Sequence, residues 1–150
     1  MRIVESEGRP GVAMLAVCEG KVALVHVYRY PVTSWEWAIP RGYAHYDDAS
    51  RSARTELTEE LGQEPNELAS IGTVTPNSGV LASHVELFVA YYSTIPSGQA
   101  DHYEVTNVKW INIRTLYNEI ARGQIKDAFT LSAIACAQAH GLMAGLADNA

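Results

Sequence analysis

Three carboxylates fall close together in the run Glu56-Leu57-Thr58-Glu59-Glu60-Leu61-Gly62. On a helix, residues three and four apart are neighbours, so Glu56 would stand beside both Glu59 and Glu60. Like charges at these spacings cost a helix about 0.2–0.5 kcal/mol per pair. No lysine lies in this segment, and its cations, Arg51 and Arg54, precede the acidic cluster. Three glutamates alone fit a solvated acidic face. They also fit a hard divalent cation such as Mg²⁺, which takes carboxylate and water oxygens and bridges to phosphates.

The residues upstream favour the cation. Trp37-Ala38-Ile39-Pro40-Arg41-Gly42 delivers a backbone and a guanidinium just before the acidic segment. Gly42 permits close approach of the main chain, and Arg41 can pair with an anion in a bidentate fork. The five histidines (His26, His45, His84, His102 and His140) are scattered without metal-ligand spacing and read as structural or surface residues. His45 lies in the loop before the acidic helix, within reach of a ligand there. Cys18 and Cys136 sit in apolar runs outside any CxxC pair and read as small core residues.

These residues need a scaffold. Val12 to Cys18 and Val22 to Tyr28 are β-rich runs around Glu19-Gly20-Lys21 and read as a hairpin. Trp35 to Ile39 is extended and stops at Pro40. Arg41 to Asp48 is a loop, and the spacing predicts a helix over Ala49 to Leu61. Ala49, Ala53, Leu57 and Leu61 form its apolar stripe, Asp47 or Asp48 its cap, and Gly62 its end. Strands are expected over Ser70 to Thr75, His84 to Tyr92 and Val105 to Ile111. Two helices close the chain, one from about Arg114 to Arg122 and one that starts after Asp127, which suits an N-cap, and runs to His140, the second carrying an alanine run suited to close packing. Strands, helix, strands, helices is the order of an α+β domain with a mixed sheet and helices packed on it.

Length and composition agree with one domain spanning residues 1–150. Of 150 residues, 47% are hydrophobic and 19% charged, enough for a real core and too apolar for disorder. The net charge of -6 argues against a nucleic-acid binder. The acidic N-terminus does not read as a signal peptide, and no apolar stretch approaches a membrane span, so a cytoplasmic location and no membrane partner are expected.

With these elements in place, the chain resembles the Nudix hydrolase family, whose box is G-x5-E-x7-R-E-U-x-E-E-x-G-U with U a bulky aliphatic residue. Glu56-Leu57-Thr58-Glu59-Glu60-Leu61-Gly62 matches the E-U-x-E-E-x-G core in full. Val25 to Tyr30, Trp37 to Gly42, Ser78 to Leu81, Val85 to Phe88 and Gly123 to Leu131 resemble the branch that cleaves ADP-ribose and nucleoside-diphosphate sugars. The N-terminal sheet domain of longer members is expected to be reduced or missing. The sequence also departs from the box. The loop after Gly42 is one residue short, the box glutamate is Asp47 or Asp48, the box arginine is Thr55, and the final aliphatic is Gln63; in the family that glutamate and arginine pair to brace the loop against the helix. Where the branch carries a marker proline stands Ser78, followed by the expected Gly79.

The resemblance implies a Nudix-like α/β/α sandwich and an Mg²⁺-dependent hydrolase, with Mn²⁺ as the other candidate ion. It would cleave a nucleoside diphosphate linked to another moiety, of ADP-ribose or sugar-nucleotide type, releasing a nucleoside monophosphate. Glu56, Glu59 and Glu60 are the implied metal ligands. Glu56, Glu60 and Glu104 are the implied catalytic residues, with Asp101 the alternative to Glu104. Arg29, Trp37, Arg41, Ser78 and Gly79 are implied substrate contacts, and Tyr43 could stack on a ring. The branch is commonly dimeric, so a homodimer is a further expectation. Two other readings are a nucleoside-triphosphate or dinucleoside-polyphosphate hydrolase, and a catalytically weak nucleotide-binding regulatory module. The lost box arginine favours the second of these, and the retained glutamates oppose it.

Overall fold

The computed structural model describes residues 8–43, 45–97 and 105–148. It opens with a hairpin of β1 (Gly11–Cys18) and β2 (Lys21–Arg29). Glu19 and Gly20 make its two-residue turn, both with left-handed backbone, φ 52° and 73°. That geometry suits the right-handed twist of a tight hairpin.

The hairpin then splits. β1 and β2 pair only at Val17↔Val22 and Cys18↔Lys21. Beyond that point β3 (Ser34–Ala38) takes over the same edge of β2, from Val25↔Ala38 to Arg29↔Ser34. The two-residue β4 (Arg41–Gly42) takes over the edge of β1, at Val12↔Gly42 and Ala13↔Arg41. Met14 N–H donates to the Pro40 carbonyl at 2.9 Å between these pairings. The segment from Ser34 to Gly42 thus fills the wedge between two diverging strands. The loop expected from Arg41 onward therefore begins with a short strand, too short for any periodicity to reveal.

The outer edges complete a seven-stranded mixed sheet. β7 (Val105–Asn112) lies antiparallel on the free edge of β2, and β6 (Val85–Tyr91) lies parallel to β1. β5 (Glu67–Val74) pairs antiparallel with β6 and starts earlier than the sequence pattern suggested. Glu67, Ala69 and Ser70 are exposed and Leu68 is half-buried, so Glu67 to Ser70 carry no apolar alternation to read.

Alternation along the strands gives the sheet two apolar faces. Val12, Met14, Ala16, Ala23, Val25 and Val27 pack on α1 (Ala49–Leu61) through Ala49, Ala53, Leu57 and Leu61. Ala13, Leu15, Val17, Val22 and Leu24 pack on α2 (Ile113–Ala121), α3 (Ala128–Ala139) and α4 (Leu142–Asp148). The result is the expected α/β/α sandwich. The third closing helix, α4, was not expected, because Gly141 (φ 75°) ends the preceding pattern; Met143 carries α4 into the core. In α3, Ala133 and Ala137 are fully buried while Ala135 and Ala139 are exposed, so only half of the alanine run packs inward. Among the described residues no helix is long and apolar enough to cross a membrane.

Candidate functional site

Helix α1 is fixed at both ends. The Asp48 side chain accepts from Ser50 N–H at 3.0 Å, and Gly62, in left-handed conformation, donates its N–H to the Thr58 carbonyl at 2.9 Å. Ala53 and Leu57 are fully buried against the sheet. That seating draws Glu56 and Glu60, one turn apart, to the edge of the buried stripe. Both are 4% exposed, while Glu59 is half-buried.

Gly42 and Glu56 meet where β4 faces the helix. A Cβ on Gly42 would collide with the Glu56 carboxylate, so only glycine fits there. His45, three residues on, returns over the helix and places Nε2 2.6 Å from Glu56 Oε1. One ligand atom each from His45, Glu56 and Glu59 lie within 4.8 Å of one another. Two carboxylates and an imidazole at such spacing are a donor set that fits a divalent cation. The sequence pattern groups His45 with the structural and surface histidines and places it within reach of a ligand, but does not assign it to the carboxylate cluster. A half-exposed loop side chain carries no periodicity, and only its place between Gly42 and the helix hinted at the role.

The loop from Gly42 to α1 is braced differently from the family box. Asp47 pairs with Arg9, Nε to Oδ1 3.2 Å, and not with the helix. Thr55 spends its hydroxyl on the Arg51 carbonyl at 3.0 Å, and Arg54 reaches the Pro65 carbonyl instead. Besides the His45–Glu56 contact, loop and helix are tied at Tyr46. Its N–H donates to Ser52 Oγ at 3.2 Å, and the Arg51 guanidinium lies 3.9 Å from the centre of its ring. Ser52 is fully buried.

The candidate substrate residues divide between the two faces of the sheet. Arg29 follows Val25 and Val27 on the α1 face, the face of the carboxylates. Arg41 pairs with Ala13 and points the other way, its guanidinium 4.7 Å from the centre of the Phe129 ring on α3. Trp37 also lies on the α3 side, where it packs against the core. It stacks on His26 with ring centres 4.6 Å apart, and Lys109 Nζ sits 4.2 Å from its ring centre. Trp35, Trp37, Lys109 and Lys126 line a cleft of about 410 Å³ on that side, away from the carboxylates. Ser78 and Gly79 are exposed in the loop between β5 and β6. That loop rejoins the sheet beside Gly42: Gly11 N–H donates to the His84 carbonyl at 2.9 Å, and a Cβ on Gly11 would lie 3.6 Å from the Gly42 carbonyl. Tyr43 is exposed. Glu104 and Asp101 lie outside the described residues.

The wedge itself is pinned from below. Thr130 Oγ1 accepts from Ile39 N–H at 3.0 Å and donates to Asp127 Oδ2 at 2.8 Å. Asp127 Oδ2 also accepts from Thr130 N–H at 2.9 Å, capping α3. A buried chain of hydrogen bonds thereby fixes the strand that presents Pro40, Arg41 and Gly42.

This split sheet, with a carboxylate helix on one face, is the fold of the Nudix hydrolases. A crystal structure of an ADP compounds hydrolase matches with a TM-score of 0.77 at 18% identity, over 89% of this chain and 75% of the other. The NUDIX domain of Shewanella oneidensis NrtR, complexed with ADP ribose, matches with a TM-score of 0.70 at 21% identity, over 88% and 87%. A NUDIX hydrolase from Nitrosomonas europaea gives 0.67 at 18%, over 88% and 90%. By sequence, the chain is 25% identical over 105 residues to CMP-5'-(N-acetyl-N-hydroxy-3-aminopropyl)phosphonate hydrolase of Streptomyces rubellomurinus (strain ATCC 31215). The match covers 68% of this chain and 51% of that protein, so the chain spans about half the length of this curated relative. No protein-family profile matches the chain.

Proposed function

We propose that the protein is a divalent-metal-dependent hydrolase that cleaves the diphosphate of a nucleoside diphosphate linked to a second group, ADP-ribose and related ADP compounds being the favoured substrates. The observation that carries this reading is the seating of Glu56 against Gly42, with the ligand atoms of His45, Glu56 and Glu59 within 4.8 Å. The similar proteins support the substrate class, since ADP compounds, ADP ribose and a CMP-phosphonate are each a nucleotide bearing another group.

Glu56 and Glu59, with Glu60 one turn behind Glu56, are the carboxylates that would hold Mg²⁺ or Mn²⁺. When bound, such an ion neutralises the diphosphate and lowers the pKa of a coordinated water. The chain's own residues do the rest in this proposal. Glu56, held against Gly42, fixes where the phosphate must sit. Arg29, on the same sheet face, pairs with a phosphate oxygen. Glu104, with Asp101 as the alternative, takes the proton from the attacking water. Ser78 and Gly79 border the substrate through the loop that rejoins the sheet beside Gly42. Arg41 and Trp37 would reach only a part of the substrate that passes to the α3 side. The exposed Tyr30 (82%), Val32 (58%) and Trp35 (50%) at the β2–β3 corner support a homodimer, which light scattering would test.

The experiment is a screen of purified protein with Mg²⁺ or Mn²⁺ against ADP-ribose, sugar nucleotides, dinucleoside polyphosphates and nucleoside triphosphates, beside Glu56→Gln. Release of a nucleoside monophosphate that vanishes in the variant is expected. A second reading, a nucleotide-binding module of low turnover, is favoured by one observation: the box brace is gone, with Asp47 turned to Arg9 and Thr55 to Arg51. Metal-dependent nucleotide binding without turnover of any substrate would establish it in place of the first.

A further inference from the structure

Resting on the reading of this site as a metal centre, we propose that it is a mixed nitrogen–oxygen site. His45 Nε2 is a ligand beside Glu56 and Glu59, and the site prefers borderline first-row ions such as Co²⁺ or Zn²⁺ to Mg²⁺. The argument is geometric first. In an octahedral site with bonds of about 2.1 Å, two adjacent ligand atoms stand about 3.0 Å apart. His45 Nε2 and Glu56 Oε1 are 2.6 Å apart, within a few tenths of that separation. Glu59 brings a third ligand atom within 4.8 Å of both.

Glu56 has little freedom to move away from this arrangement. It is 4% exposed and fills the space that a Cβ on Gly42 would need. A cation bound to its Oε1 is therefore bound where the imidazole already points.

Ligand chemistry then sets the preference. Mg²⁺ demands oxygen ligands and keeps several waters, whereas imidazole suits Zn²⁺ and the later transition ions. Replacing one oxygen by nitrogen raises affinity along the series toward Cu²⁺ and Zn²⁺ more than it raises affinity for Mg²⁺.

The test measures binding, not turnover. Mg²⁺ and Co²⁺ are titrated calorimetrically, each alone, into wild type, His45→Ala and Glu56→Gln, and Mn²⁺-loaded protein is examined by pulsed electron paramagnetic resonance. His45 has a half-exposed side chain, so His45→Ala is expected to fold, and a thermal melt checks this. The expected result is a loss of more than about 100-fold in Co²⁺ affinity in His45→Ala, beyond the roughly 10- to 100-fold that loss of an outer-shell partner costs, with Mg²⁺ affinity changed less than about 3-fold. An imidazole nitrogen coupling to Mn²⁺ should be present in wild type and absent in the variant. Equal weakening of both ions, or no nitrogen coupling in wild type, overturns the proposal while leaving an oxygen-ligated metal centre. Failure of every ion to bind wild type overturns the metal reading itself.

Discussion

The Glu56 carboxylate occupies the space that a Cβ at Gly42 would require, so strand β4 and helix α1 are in contact through one glycine and one buried acid. Gly42→Ala must therefore displace Glu56 from its seat. A reacting group moved by about 1 Å can cost about 100-fold in rate, and a loss of at least that size in kcat is expected. Overpacking of this kind costs about 1–3 kcal/mol, visible as a lower Tm. Adding Glu56→Asp, which shortens the acid, should recover Tm without recovering kcat. Recovery of both would mean that the position of the carboxylate does not matter.

Thr130 links α3 to the strand that carries the site, and Thr130→Val keeps its shape while removing the link. The Ile39 N–H and an oxygen of Asp127 would lose a partner in a buried setting. A stability loss of about 1–3 kcal/mol is expected, as a lower urea midpoint with an unchanged slope. An unchanged midpoint would show that water replaces the hydroxyl.

Much of this arrangement was legible in the sequence because it rests on local rules. The stripe Ala49, Ala53, Leu57 and Leu61, the cap Asp48 and the terminator Gly62 define α1, and the spacing of Glu56, Glu59 and Glu60 then follows. What the sequence did not reveal depends on chain paths that meet only in three dimensions. His45 reaches Glu56 because the loop folds back over the helix. Arg41 and Gly42 are adjacent in sequence, yet their register against Ala13 and Val12 sends them to opposite faces. The two residues therefore meet different surroundings, Arg41 the ring of Phe129 and Gly42 the carboxylate of Glu56. The replacement of the box brace by Arg9 and Tyr46 was equally hidden, since neither lies at a box position.

The loop brace gives a prediction that separates two contacts. The Arg9–Asp47 pair is on the surface, with Asp47 93% exposed, and such pairs contribute little. Asp47→Asn should leave Tm unchanged. Ser52→Ala removes a fully buried hydroxyl that holds Tyr46, and with it the position of His45 next in the chain. Ser52→Ala is expected to lower kcat/KM about 10-fold through a loosened loop. The reverse ranking, with Asp47→Asn the more damaging, would place the brace at the surface pair.

Alkaline pH should weaken the fold through two buried acids on the α1 side. Burial, and then Glu19 beside it, pushes the Cys18 thiol above its ordinary 9.0. Burial, and then Glu64, pushes the Tyr92 phenol above its ordinary 10.0, and its hydroxyl donates to the Gln63 carbonyl at 2.9 Å. Both groups hold their protons more tightly folded than unfolded. Their contribution is therefore complete below about pH 9, the ordinary thiol value, and is lost as the pH rises through the folded values. Urea midpoints should be flat in this respect near neutral pH and fall beyond about pH 9. Tyr92→Phe should be less stable at pH 7.5 by about 1 kcal/mol, the net worth of one hydrogen bond, and should fall less steeply at high pH. An identical alkaline slope in wild type and Tyr92→Phe would assign the loss to other groups.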